Sequence, residues 1–162
     1  MMRPVALLGP LAGLAVAIAM VNPAAAAWKT EDNSVVDEYL TTGMAEDGRA
    51  KFVIVCYANA PVLDMTILTG EPYGSHTTYP NGLPISVTTD GRQQPVIRGV
   101  FHNYGGELVA VSNLSIDRTL LRLFHAMAAS ISTVDVQFDQ RKYRFSSEGL
   151  GPALRHLYDK CK

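Results

Sequence analysis

The chain has 162 residues, 48% apolar or aromatic and 18% charged, enough to build one hydrophobic core. Its 14 basic and 15 acidic side chains are balanced, which argues against nucleic-acid binding, since such proteins normally present a concentrated basic surface. Two cysteines are too few for a disulfide scaffold, and they lie too far apart for the close pairs of a zinc site.

The N-terminus has the order of a secretory signal peptide. Arg3 precedes an almost unbroken apolar stretch, Val5–Val21; Asn22-Pro23 breaks it, and Ala24–Ala27 supplies small residues for cleavage. A retained anchor is the alternative reading of this segment. Cleavage after Ala27 is expected to leave residues 28–162 as a single exported domain. No cysteine at the cut marks a lipid anchor. No later stretch reaches the roughly 18 continuous apolar residues of a membrane span.

The segment Trp28–Val36, WKTEDNSVV, begins with the only tryptophan, expected to pack over the core as a latch. Glu38–Gly48 reads as a strand tip and loop. Asp47-Gly48 makes a tight turn bringing Val35–Leu40 alongside the central run Arg49–Tyr57. That run holds Phe52-Val53-Ile54-Val55-Cys56-Tyr57, apolar on both faces, as in a strand crossing the middle of a sheet. After Asn59-Ala60-Pro61, Val62–Thr69 alternates with period two, with Leu63, Met65 and Ile67 on one face, and completes an antiparallel meander. Gly70–Gly82, GEPYGSHTTYPNG, is the longest stretch without an element.

Leu83–Thr89, Pro95–His102 and Glu107–Val111 are the next strands, joined by turns at Asp90-Gly91 and Asn103–Gly106. The apolar period then lengthens over Ile116–Ala129, predicting an amphipathic helix with Ser115 as its N-cap and Asp117 in its first turn. Thr133–Phe138 and Arg141–Phe145 form a charged hairpin at an edge or over the surface. In the last segment Ser147 is the expected cap of a helix whose apolar face, from Leu150 to Leu157, carries Cys161. In an oxidising compartment Cys56 and Cys161 are expected to pair, pinning this helix to the central strand. The fold expected is mainly β with some α: an antiparallel β-sandwich or partly open barrel, with a mid-chain helix and a C-terminal helix held by the disulfide.

The residues name no reaction. His76, His102, His125 and His156 are scattered, with no metal-binding pair at short spacing, so neither a metal nor another cofactor is expected. The serines lack a nucleophile-elbow context, and Gly105-Gly106 is a turn with no phosphate-binding loop around it. The binding candidates are instead aromatic and cationic. Tyr73, His76 and Tyr79 lie in the long loop, His102 and Tyr104 at a hairpin end, and Arg141 and Arg144 in the last hairpin.

A distributed pattern runs through Trp28, Asp32, Ser34, Val35, Cys56 and Asn59, then Phe145, Gly149, Leu150, Ala153, Leu154, Leu157 and Cys161. It resembles small periplasmic proteins of Gram-negative bacteria, including the invasion-associated locus B group and accessory envelope proteins associated with type VI secretion. The resemblance implies a β-rich periplasmic domain with no catalytic residues to transfer. Three readings follow in order of preference. The first is a non-enzymatic accessory protein that binds another envelope or secreted protein, the second a module for small ligands or cell-wall fragments with Tyr73, Tyr79 and Tyr104 as an aromatic wall, and the third an exported hydrolase.

Overall fold

The computed structural model describes residues 28–161 except 34, 75 and 116, with the side chains of residues 61, 113 and 115 also left out. The leader expected at residues 1–27 lies outside the described residues, as do Ser34 of the family-like pattern and Ile116, where the first helix was expected to begin.

The described elements run β1 (Lys29–Asn33), β2 (Glu38–Met44), β3 (Lys51–Tyr57), β4 (Ala60–Pro72), β5 (Leu83–Thr89), β6 (Arg92–Gln93), β7 (Ile97–Tyr104) and β8 (Glu107–Ser115). Then come α1 (Arg118–Ala128), β9 (Thr133–Phe138), β10 (Arg141–Ser146) and α2 (Leu150–Lys160). All strand pairings are antiparallel, in the order β1-β2-β3-β4-β8-β7-β5-β9-β10, with β6 against β5. The sheet curls into a half-barrel. Its last strand approaches the β2–β3 turn, where Ala45 bridges Phe145 and the Glu46 amide donates to the Arg144 carbonyl at 2.8 Å. Of the two expected architectures, the partly open barrel is the one formed.

The β2–β3–β4 meander forms as expected, but β2 continues as strand to Met44 and β4 to Pro72, trimming the expected loops. β5 does not join β4. The chain crosses the sheet between them, so β8 takes the free edge of β4 while β5 sits between β7 and β9. The sheet turns its corner at Gly99. Ile97–Gly99 pair with β5, and Val100–Tyr104 pair with β8. A Cβ on Gly99 would stand 2.5 Å from the Val111 carbonyl oxygen, so only glycine fits this crossing.

Alternate residues of the strands fill the interior, with Phe52, Ile54, Met65, Ile67, Ile85, Val136 and Phe145 all fully buried. Both helices connect to strands at one end of the half-barrel, where Leu123 and Met127 of α1 and Leu150, Leu154 and Leu157 of α2 complete the core. Asp117, rather than Ser115, caps α1, its Oδ1 accepting the Thr119 and Leu120 amides at 2.8 Å each. Gly149 is the N-cap of α2, and Ser147 contributes its carbonyl, which accepts the Leu150 amide, in place of a capping hydroxyl. Cys56 and Cys161 form the disulfide, with Cα atoms 6.1 Å apart.

Asp90 ties the helical end to the sheet. Its carboxylate accepts the amides of Ile131, Ser132 and Thr133 and the hydroxyls of Ser130 and Ser132. The Ile131 amide leads the interactions that hold this carboxyl far below its ordinary 3.8, outweighing the opposing effect of burial. A depressed folded-state pKa stabilises the fold above the unfolded value, and that contribution is lost as pH falls through the folded value. Asp90→Asn is therefore expected to melt below wild type at neutral pH, with the gap narrowing as pH falls below 3.8. Thermal melts across pH test this, and a constant gap would overturn it.

Candidate functional site

The other end of the half-barrel is open. There β4 finishes, the 73–82 loop crosses, and the β9–β10 turn lies at Asp139-Gln140. These segments meet around Arg141. Its Nε donates to Glu71 Oε2 at 2.9 Å, and its terminal nitrogens reach Glu71 and Asp139 at 2.8 Å each. Two residues of the crossing loop converge on Asp139 Oδ1, the Tyr79 hydroxyl donating at 2.8 Å and the Thr77 hydroxyl at 3.1 Å. The Tyr73 amide donates to the Gly106 carbonyl at 2.7 Å. A segment read from sequence as elementless is thus braced at both ends.

An aromatic chain runs beside this ion cluster. Tyr73 and His76 have ring centroids 5.1 Å apart, His76 stands edge-on to Phe101 at 5.0 Å, and Phe101 continues to Phe138 at 6.0 Å. The Arg141 guanidinium carbon lies 6.0 Å from the Phe101 ring centroid. Tyr73 is 40% exposed. Between loop and hairpin is an open cleft of about 500 Å³, lined by Glu71, His76, Thr77, Asp139, Gln140 and Arg141.

The electrostatics fit a fixed ionic frame. Tyr79 leads the interactions that hold the Asp139 carboxyl below its ordinary value, with Thr77 and Arg141 adding to it against the burial effect. Partial burial opposes the Arg141 charge, but Glu71 more than compensates and raises its pKa. The Tyr143 phenol is pushed up to about 12, first by burial and then by the charge of Glu71. Near neutral pH the carboxyl of Asp139 is ionised, Arg141 is charged and Tyr143 keeps its proton.

Of the candidates read from sequence, the structure gathers Tyr73, His76, Tyr79 and Arg141 here. His102 and Tyr104 are on the opposite face of the sheet, because they differ in strand parity from Phe101. Arg144 also points outward, paired across the hairpin with Asp135 at 2.8 Å. The residues missed are Glu71, Phe101, Asp139 and Tyr143. The only sequence hint was the acid and base flanking Gln140, which gave no indication of the distant Glu71.

Both cysteines are bonded to each other, which removes a thiol nucleophile. His76 Nδ1 lies 2.9 Å from the Gly74 carbonyl and His156 Nε2 lies 2.6 Å from Asp32, and neither contact presents a nucleophile to the imidazole. Among the described residues no three His, Cys, Asp or Glu side chains converge as a metal site requires. Nor is any helix among them long and apolar enough to cross a membrane. The chain matches no family model, no curated protein and no solved structure.

Proposed function

We propose that this is a non-enzymatic accessory protein of the bacterial periplasm that binds a segment of another envelope or secreted protein at the open end of its half-barrel. The observation that carries this reading is the braced loop, which presents Tyr73 and His76 on a rim fixed by Asp139 and Arg141. Exposed aromatics on a preformed surface give contact area without a large ordering cost. Export is supported by the leader-like residues 1–27 and by the intrachain disulfide, which suits an oxidising compartment.

The cleft favours a polypeptide over a small ligand. Small-molecule pockets are mostly apolar and enclose their ligand, whereas this one is open and lined almost wholly by polar side chains. Glu71 and Asp139 against Arg141 leave one negative charge in excess, which suits a segment bearing lysine or arginine.

In-cell crosslinking of the exported protein, followed by mass spectrometry, tests the reading. One envelope or secreted protein should be recovered through peptides joined to residues 70–82. Tyr73→Ala with His76→Ala should reduce that recovery on the order of tenfold while the melting temperature holds, as loss of a hot spot does. Undiminished recovery would reject this rim as the contact. A thermal shift with soluble glycans and no protein recovered would move the function to the ligand-binding reading.

A further inference from the structure

Among the side chains that line the cleft, His76 is the one of a type that ordinarily changes charge between pH 5 and 8. Its ring is fixed from two directions. Tyr73 and Phe101 hold it between them, with centroids 5.1 and 5.0 Å away. Nδ1 lies 2.9 Å from the Gly74 carbonyl oxygen, and because a carbonyl only accepts, Nδ1 carries the proton of the neutral ring. Nε2 then presents a lone pair, and no hydrogen bond or ion pair among the described residues reaches it. The carboxylates nearby are already engaged. Both oxygens of Asp139 accept from Thr77, Tyr79 or Arg141, and both oxygens of Glu71 accept from Arg141 or Tyr143. Gln140 is the other open acceptor of the cleft, but it sits exposed on the turn and nothing holds its side chain. Nε2 is therefore the acceptor that the braced rim offers to an occupant.

We propose that Nε2 of His76 accepts a hydrogen bond from the partner's lysine or arginine, so that a proton on His76 releases the segment. The inference rests on the cationic segment proposed above for this cleft. Protonation acts twice. It removes the acceptor, and it sets a positive charge beside the incoming one. The surrounding groups make that charge count. β4 contributes Glu71, the β9–β10 turn Asp139, and β10 Arg141 with the protonated Tyr143 phenol, while the loop adds Tyr73 and Tyr79 and β7 the uncharged Phe101. Just outside, Asp47 and Glu107 are turned to the Arg49 and Gly70 amides. Two carboxylates against one guanidinium leave one negative charge while His76 is neutral, and a proton on Nε2 cancels it. Asp139, held below its ordinary value, and Arg141, held above its own, keep their charges over the same range. Binding is thus strongest with His76 neutral and weakens as pH falls from 8 to 5.

The blocked peptide acetyl-Arg-Arg-Arg-amide, titrated into the exported, disulfide-bonded protein and followed by NMR, tests the proposal. Its guanidinium groups do not titrate in this range, so any pH dependence belongs to the protein. Affinity for the cleft should fall about tenfold from pH 8 to pH 5, the effect of losing one hydrogen bond to a charged donor. Coupling is reciprocal, so saturating peptide should move the titration of the His76 imidazole nitrogens down by about one pH unit. His76→Phe keeps a ring between Tyr73 and Phe101 but has no nitrogen. It should bind at pH 8 as weakly as wild type does at pH 5, with no pH dependence. No binding at pH 8 would overturn the cationic-segment reading and this inference with it. Binding unchanged by pH, or a His76 titration unmoved by the peptide, overturns the inference alone. So does His76→Phe at wild-type affinity, which would reduce His76 to aromatic contact area, or a pH dependence that survives this substitution. A neutral imidazole that carries its proton on Nε2 overturns it as well.

Discussion

Serine at both positions 56 and 161 is expected to lower stability by about 4–5 kcal/mol at most, because the bond constrains a long stretch of the unfolded chain. The joined residues are 105 apart in sequence. In the chain-entropy account, closing so long a loop removes far more freedom from the unfolded ensemble than from the folded one. The native side supports the bond as well. Cys56 is buried on the central strand, and Leu150, Leu154 and Leu157 seat α2 against the core without help from the sulfurs. The folded state of the double-serine protein should therefore keep its helix while melting roughly 10–20 °C lower, given the size of the chain. Melting curves of wild type, reduced wild type and double-serine protein make the comparison. The last two should coincide. A double-serine protein that melts with the oxidised wild type would reject the disulfide as a stabilising link.

What the sequence disclosed was local. The central strand was legible because Phe52–Tyr57 is dense in β-forming residues, and the two helices because their apolar positions change period. β1 was not, because Lys29–Asn33 has no strand-forming composition. Its conformation comes from pairing with β2, as in Thr30 against Thr41. The place of β5 was hidden for a similar reason. Turn residues report which strands are joined, and only the tertiary fold decides that β8 lies beside β4. The site divides in the same way. Aromatic content marked Tyr73, His76 and Tyr79, but the Glu71–Arg141–Asp139 frame joins the β9–β10 turn to a carboxylate 70 residues away in sequence from Arg141. The split between Phe101 and the His102–Tyr104 pair was available from strand parity alone. It becomes meaningful once Phe101 is known to face the cleft side. Cap positions failed narrowly. Asp117 displaced Ser115 because its carboxylate reaches two helix amides, a stronger cap than a hydroxyl.

Trp28→Ala is expected to destabilise the domain by about 3–5 kcal/mol, the range for removing a large buried aromatic. Its indole packs against Phe52 and Phe145 at centroid distances of 5.7 and 6.1 Å, and its Nε1 donates to the Ser146 carbonyl at 2.7 Å. The ring therefore joins β3 to β10, the two sides of the sheet that come together as it curls. Gly43 makes the room. A Cβ there would stand 2.6 Å from the indole, so Gly43→Ala should also destabilise the protein, by forcing the ring out of place. The two substitutions act on one contact, and their effects should not add. Gly43→Ala should cost much less in the Trp28→Ala background, a coupling readable by urea denaturation as a double-mutant cycle. As the only tryptophan, Trp28 also reports its own position. Its emission should be blue in the native protein and shift to the red in Gly43→Ala before global unfolding. Additive costs, or emission unmoved by Gly43→Ala, would reject the latch. A full coupling would place the closing of the curled sheet on one residue at the start of the described chain, held by a glycine fifteen positions later.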